Sequence, residues 1–225
     1  MIKIGKKFID LGGIRVGKSD FNILRISKSQ CAEILMEYHY LKDISKGFKS
    51  GINYGLFNNG ALLGCIIFTG FPVPELAVGL FGLQRNEQEG LFELSRLCLV
   101  PAIQQSEHNI ASWFVSRAIK QLKKDMKVRC ILSYADSEFH EGTIYKACNF
   151  QYFGLSEAKS DFWIKQTNGE FIKHSRGKTK GIEGEWRKRS QKHRYLMMFD
   201  KALTPRWANP LTPSSQTLPS PCRTQ

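Results

Sequence analysis

The chain has no CxxC pair and no regular His or Cys ligand spacing, so the usual signature of a structural zinc site is missing. No stretch approaches the roughly 18 uninterrupted apolar residues of a membrane helix, and the N-terminus lacks the apolar core of a signal peptide. No internal repeat is found. Acid is scarce: 20 Asp and Glu stand against 33 Lys and Arg, a formal charge of +13. That excess points to a polyanionic partner, nucleic acid first, although many small basic proteins are merely positive. The cysteines Cys31, Cys65, Cys98, Cys130, Cys148 and Cys222 are scattered, most of them in apolar runs, and read as reduced core thiols of a cytosolic protein.

What is present suffices for one α/β domain and an appendage: 225 residues, 42% hydrophobic and 12% aromatic. After a polar leader (1–20), Phe21 to Ile26 reads as a strand. Ser27 and Gln30 have capping-box spacing for a helix from Lys28 to about Tyr38, which ends in Tyr38-His39-Tyr40-Leu41-Lys42. Two apolar runs, Ile52 to Phe57 and Ala61 to Phe68, join through Asn58-Asn59-Gly60 as a hairpin. Gly70 to Gly90, with Phe71-Pro72-Val73-Pro74, carries breakers and no sustained period, so a long loop is expected. Leu91 to Val100 is a strand stopped by Pro101, and Glu107 to about Lys124 an amphipathic helix with Ile110, Trp113, Phe114, Ala118 and Leu122 on one face. Cys130 to Tyr134 follows as a strand, Glu141 to Ala147 as a short helix and Phe150 to Gly154 as a strand. A hairpin then joins Asp161–Lys165 to Glu170–Lys173.

The positive charge is concentrated. From Lys165 to Arg206 there are twelve Lys and Arg against four Asp and Glu, which supplies +8 of the total. Lys178, Lys180, Arg187, Lys188, Arg189, Lys192 and Arg194 interleave with Trp186, His193 and Tyr195, a mixture suited to neutralising phosphates and stacking on an unstacked base. The expectation is a basic DNA-binding extension over 166–202; a solvated basic face is the plainer alternative. The Pro-, Ser- and Thr-rich tail, 203–225, is expected to be disordered.

Three constellations carry possible chemistry. Gln104 to Ser112 lies at a helix N-terminus, where free amides favour a phosphate, and acyl-CoA N-acyltransferases bind the coenzyme's pyrophosphate at such a place. The register Ser106-x-x-Asn109-x-Ala111 keeps the Ala but lacks the glycines of that loop, so on this loop alone an ordinary capped helix is the favoured reading. Asp136 ends Ser133-Tyr134-Ala135-Asp136 and is expected to be exposed where a strand runs out, with His140, Thr143 and Tyr145 beside it; the alternative is a turn cap. His39, between Tyr38 and Tyr40, suits stacking or general-base work, or simply a helix C-terminus. A single catalytic metal using His39, Asp136 or His140 stays open.

Together these residues resemble the Mom family, the DNA adenine-modification proteins of Mu-like bacteriophages, related to the acyl-CoA N-acyltransferases. The resemblance runs from about Phe21 to Phe199. It rests on Tyr38-His39-Tyr40-Leu41-Lys42, on Glu93-Leu94-Ser95-Arg96-Leu97, on Ile119-Lys120-Gln121-Leu122-Lys123-Lys124, and above all on Ser133-Tyr134-Ala135-Asp136 through His140-x-Gly142-x-Ile144-Tyr145-Lys146-Ala147-x-Asn149-Phe150-x-Tyr152-x-Gly154. Phe139 stands where the pattern has glycine.

The resemblance implies a mixed α/β (α+β) fold of N-acyltransferase (GNAT) type, with a largely antiparallel central sheet flanked by helices over 21–165 and the basic extension after it. It implies conversion of adenine N6 in duplex DNA to N6-carbamoylmethyladenine, which protects phage DNA from host restriction in the host cytoplasm. The base would be extruded into a pocket. His39, Tyr40, Asp136 and Tyr145 would then be catalytic, and Arg96, Asn109, Ala111 and Ser112 would hold the donor. The donor is either of acyl-CoA type or an unusual glycinamide-like compound, with iron a further option; the oligomeric state, a homodimer among the choices, stays open. The competing classes are a non-enzymatic DNA-binding protein on this fold and an acetyl-CoA-dependent N-acetyltransferase acting on a protein or small amine.

Overall fold

The computed structural model describes residues 2–4, 7–9, 18–39, 47–174 and 177–208. Two short strands in the leader, β1 (Ile2–Ile4) and β2 (Lys7–Ile9), pair antiparallel. β3 (Phe21–Arg25) and α1 (Lys28–Tyr38) meet at the expected capping box: the Ser27 amide donates to Gln30 Oε1 at 2.9 Å and the Gln30 amide to Ser27 Oγ at 3.2 Å. β4 (Ile52–Asn58) and β5 (Ala61–Gly70) form the expected hairpin, whose turn residues Asn59 and Gly60 take φ of 46° and 77°. Positive φ at both central positions gives a twist that suits adjacent strands.

The stretch from Gly70 to Gly90 is not one long loop. α2 (Pro74–Phe81) forms inside it, with Pro74 in its first turn, Ala77 and Leu80 buried, and the Gly82 amide donating to the Val78 carbonyl at 2.8 Å. Pro and Gly here are the start and stop of a helix rather than loop markers. The chain continues through β6 (Leu91–Leu99), the short α3 (Pro101–Ser106), α4 (Ile110–Asp125), β7 (Cys130–Asp136), α5 (Thr143–Ala147) and β8 (Gln151–Leu155). Then come β9 (Ser160–Lys165), β10 (Phe171–Lys173), β11 (Gly184–Lys188) and β12 (Lys192–Met198).

Among the described residues seven strands make the main sheet in the order β3-β4-β5-β6-β7-β12-β8, antiparallel throughout except for the parallel pair β6 and β7. α1 and α4 cover one face with Ile34, Leu35, Phe114, Ala118 and Leu122. α2 and the residues after β12, Leu203 and Trp207 among them, cover the other.

The position of β12 corrects the expected boundary at residue 165. The end of the basic segment is not an appendage: β12 enters the main sheet between β7 and β8. Tyr195 and Met197 pack into the α1/α4 core, while Leu196 and Met198 pack into the α2 core. A strand covered on both faces needs such an unbroken apolar run. Of the strands after β8, β9, β10 and β11 stand apart, as a three-stranded antiparallel sheet in the order β10-β9-β11, inserted between β8 and β12.

Cys31, Cys65, Cys98, Cys130 and Cys148 are buried and unbridged, as their apolar settings predict. Cys222 and the tail from residue 209 lie outside the described residues. Among the described residues no helix is long and apolar enough to cross a membrane.

Candidate functional site

β6 and β7 pair only from Leu91↔Cys130 to Leu94↔Ser133. Beyond that point β6 stays with β5 and β7 pairs with β12, so the two strands part. A cleft of about 780 Å³ opens there, lined by Glu93 to Leu97 of β6, Tyr134 and Asp136 of β7, His140 and Gly142 to Tyr145, His39 at the end of α1, and Arg189 and Lys192. That volume lies within the roughly 300–1,000 Å³ of small-molecule sites. His39, Arg96, Asp136, His140 and Tyr145 therefore line one cleft. Tyr40 lies outside the described residues.

His39 caps α1, its amide donating to the Leu35 carbonyl at 3.1 Å, and its side chain is buried. Burial, then the nearby Arg96 cation, pushes its imidazole down to about 4, so the ring is neutral at physiological pH. Arg96 Nη1 donates to the Ser95 carbonyl at 2.6 Å, and its Nε is buried with no hydrogen-bond partner. A donor left in this state suits an oxygen of a bound ligand.

Glu93 is a site residue that the sequence reading passes over. Burial pushes its carboxyl above the usual range, against the Arg96 and Lys49 cations. Tyr134, also half-buried, has its phenol pushed up to about 12, first by burial and then by the charge of Glu93, with Arg194 opposing. The available signal was a lone carboxylate inside the apolar strand Leu91-Phe92-Glu93-Leu94.

Asp136 differs from expectation: it is buried, not exposed. Its Oδ2 accepts from Lys192 Nζ at 2.8 Å and from Ser190 Oγ at 2.9 Å, and its Oδ1 from the Glu138 amide at 3.2 Å. Burial works to raise its carboxyl, but these bonds and the Lys192 charge outweigh it and hold the group below the usual carboxylate range. Its carbonyl accepts from the amides of Phe139 and His140, both at 3.0 Å, so Asp136 builds the turn it begins. Partial desolvation holds the His140 imidazole below its ordinary value, against the pull of Asp136 and with the help of His193 and Lys192.

Tyr145 is buried against Phe150 and Tyr195, with ring centroids at 5.5 and 5.2 Å. The preceding Gly142 has φ of 72°, and a Cβ there would sit 2.5 Å from the Tyr195 ring. Glycine is required at that position on both counts.

The expected donor residues do not assemble as one group. Arg96 lines the main cleft; Ala111 lines a smaller cavity of about 180 Å³ with Tyr38, His39, Leu97, Cys98, Leu99, Gln104 and Ile144. Asn109 is exposed at φ 59°, and Ser112 Oγ donates back to its carbonyl at 3.1 Å. α3 ends at Ser106, where that register begins, and among the described residues no Lys or Arg lines the smaller cavity. These residues do not fit the pyrophosphate of coenzyme A, which calls for an open cradle and positive charge. Nor do His39, Asp136 and His140 make a metal site: among the described residues no three His, Cys, Asp or Glu side chains are placed to hold an ion. The oxygens of Asp136 are already engaged.

The seven basic residues expected to bind DNA separate into four groups. Lys178, Lys180 and Lys188 are exposed on the small sheet and its loop. Arg187 is exposed but lies over the rings of Trp163 and Phe171, at 4.9 and 4.5 Å, and pairs with Glu185. Arg189 lines the cleft. Lys192 and Arg194 belong to the main sheet, the first paired with Asp136 and the second half-buried with its guanidinium 4.4 Å from the Trp207 ring. Of the interleaved aromatics, Trp186 is exposed, whereas Tyr195 is core and His193 bonds Tyr152 Oη at 2.9 Å.

A seven-stranded mixed sheet in this order, with a cleft where its one parallel pair parts, defines a protein of the N-acyltransferase (GNAT) fold class. Within that class the sequence is specific. The Mom protein family matches residues 20–216, and the chain belongs to it. Solved structures similar in fold include an IAA acetyltransferase from Bacillus cereus, at 13% identity and a TM-score of 0.48 over 80% of this chain and 99% of that one. Another is the ribosomal-protein-S18-alanine N-acetyltransferase from Escherichia coli, at 11% identity and a TM-score of 0.47 over 80% and 94%. No curated protein matches the sequence.

Proposed function

We propose that this chain modifies adenine in double-stranded DNA, attaching a carbamoylmethyl group to the exocyclic N6 of an extruded base. The observation that carries this reading is the cleft between β6 and β7, in a member of the Mom family, with Arg189 and Lys192 at its lining and exposed lysines on the inserted sheet next to it in sequence. Cations beside a cleft of that size suit a phosphate backbone that delivers one base.

Adenine N6 is a poor nucleophile because its lone pair is delocalised into the ring. Transfer therefore forms the bond from N6 to the donor's methylene carbon, breaks the bond from that carbon to the leaving group, and removes one N6 proton. Glu93, whose carboxylate burial makes more basic than an ordinary one, is the group best matched to accept the proton. Neutral His39 offers a hydrogen bond to the base, and the unpartnered Arg96 Nε offers one to the donor's oxygen. The poor fit to coenzyme A favours a smaller donor and weighs against acetyl-CoA-dependent transfer to an amine.

The test is nucleoside mass spectrometry on plasmid DNA from cells producing the chain, beside an Arg96→Ala control. An adenosine heavier by one carbamoylmethyl group, absent with the variant, is expected. Unmodified adenine from soluble, folded wild-type protein, with DNA binding intact, would leave the non-enzymatic class standing instead.

A further inference from the structure

Phe139 is 61% exposed, an unusual state for a phenyl ring, and it sits between Asp136 and His140, which both line the cleft. The turn that carries it is braced from several sides. The Phe139 and His140 amides donate to the Asp136 carbonyl, and the Glu138 amide donates to the Asp136 side chain. The Ser137 amide and hydroxyl both reach the Gln191 carbonyl, at 3.0 and 2.8 Å, while Ser190 and Lys192 hold the far carboxylate oxygen. Phe139 does not take a positive φ, so the turn accepts a side chain there without strain. A large, mostly exposed apolar ring is thus carried on a braced turn between two residues of the cleft lining, which also holds the cations Arg189 and Lys192.

An extruded base leaves a gap in the stack, and apolar side chains entering such a gap replace part of the lost stacking. We propose that Phe139 is the wedge that enters the DNA base stack in place of the nucleotide taken into the cleft. This rests on the DNA-modifying reading above. It gives the Asp136 turn a positioning role: the carboxylate holds the segment that presents the ring.

Binding to a random-sequence duplex carrying one abasic site, compared with the same duplex intact, tests it by fluorescence anisotropy. Wild-type protein is expected to prefer the abasic duplex, because the gap is already present. Phe139→Ala should reduce that preference about tenfold, the scale of one lost aromatic stack. Phe139→Trp should retain it, and Phe139→Met provides a ring-free comparison should alanine disturb the turn. Equal preference in wild type and both ring-free variants would overturn the wedge, as would wild-type binding that does not distinguish the two duplexes. Absence of wild-type binding to either duplex would instead remove the DNA reading on which the wedge rests.

Discussion

Asp136 of β7 and Lys192 of β12 stand opposite each other in the sheet, and the ammonium donates to the carboxylate at 2.8 Å. The pair ties the cleft to a strand that returns after an insertion of more than thirty residues. Asp136 is thereby a joint between two parts of the chain distant in sequence.

Asp136→Ala is therefore expected to lower stability at pH 7 by about 1–3 kcal/mol, the range for hydrogen bonds to a buried charge. The folded-state carboxyl lies below its ordinary value of 3.8, so its contribution is present above that value and is lost as pH falls through the lower folded one. Urea unfolding of both proteins across pH 2–7, roughly the span of carboxylate titration, measures this. Coincident curves at pH 7 would mean that the joint has no structural weight and would return Asp136 to a purely chemical role.

His39 gives a second pH signature. Its imidazole is held at about 4 in the folded chain against an ordinary 6.5, so between those values the unfolded chain binds the extra proton. Stability falls as pH drops through that window, by up to about 3 kcal/mol, and the effect is complete below the folded value. In His39→Gln the slope over this window should flatten. An unchanged slope would show that another group carries the acid sensitivity.

Glu93→Gln should reduce adenine modification about 10²–10⁴-fold, the usual contribution of a general base, while leaving duplex binding within a factor of about two. The measurement is modified nucleoside per unit time, alongside anisotropy on unmodified duplex. Full activity in the glutamine variant would assign the N6 proton to another acceptor.

Local signals account for what was legible. The capping box at Ser27, the Asn59-Gly60 turn and the stripe of α4 are all fixed by residues within a few positions of one another, and each stands where the sequence puts it. α2 was missed because its eight residues are too short to show a helical period, and its bounding Pro74 and Gly82 look like loop residues. The placement of β12 was invisible for a different reason. Lys192-His193-Arg194 reads as more of the basic arm, and only the pairing with β7 and β8 reveals a central strand. The same non-local event buries Asp136 and assembles Glu93, Tyr134 and Arg194 as neighbours, which is why His39 and Tyr145 were found by motif and Glu93 was not.

The inserted sheet makes the last prediction, because its cations are not equivalent. Lys173 is bound to Asp161 at 2.6 Å, Lys165 to Glu183 at 3.0 Å, and Arg187 to Glu185 while lying over two aromatic rings. Charge reversal at Arg187 would break packing inside the sheet and so confound any loss of DNA affinity. Lys178, Lys180 and Lys188 are exposed, and none has an ion-pair partner among the described residues. The triple variant Lys178→Glu, Lys180→Glu, Lys188→Glu should keep its melting temperature and weaken duplex binding. The slope of log affinity against log salt should become shallower by about 0.9 for each phosphate contact removed. The corresponding changes at Lys165 and Lys173 should move that slope far less, since those ammonium groups are already matched by carboxylates. A salt slope that is the same in wild type and triple variant would show that the arm does not track the backbone, and would place the phosphate contacts on Arg189 and the rim of the cleft.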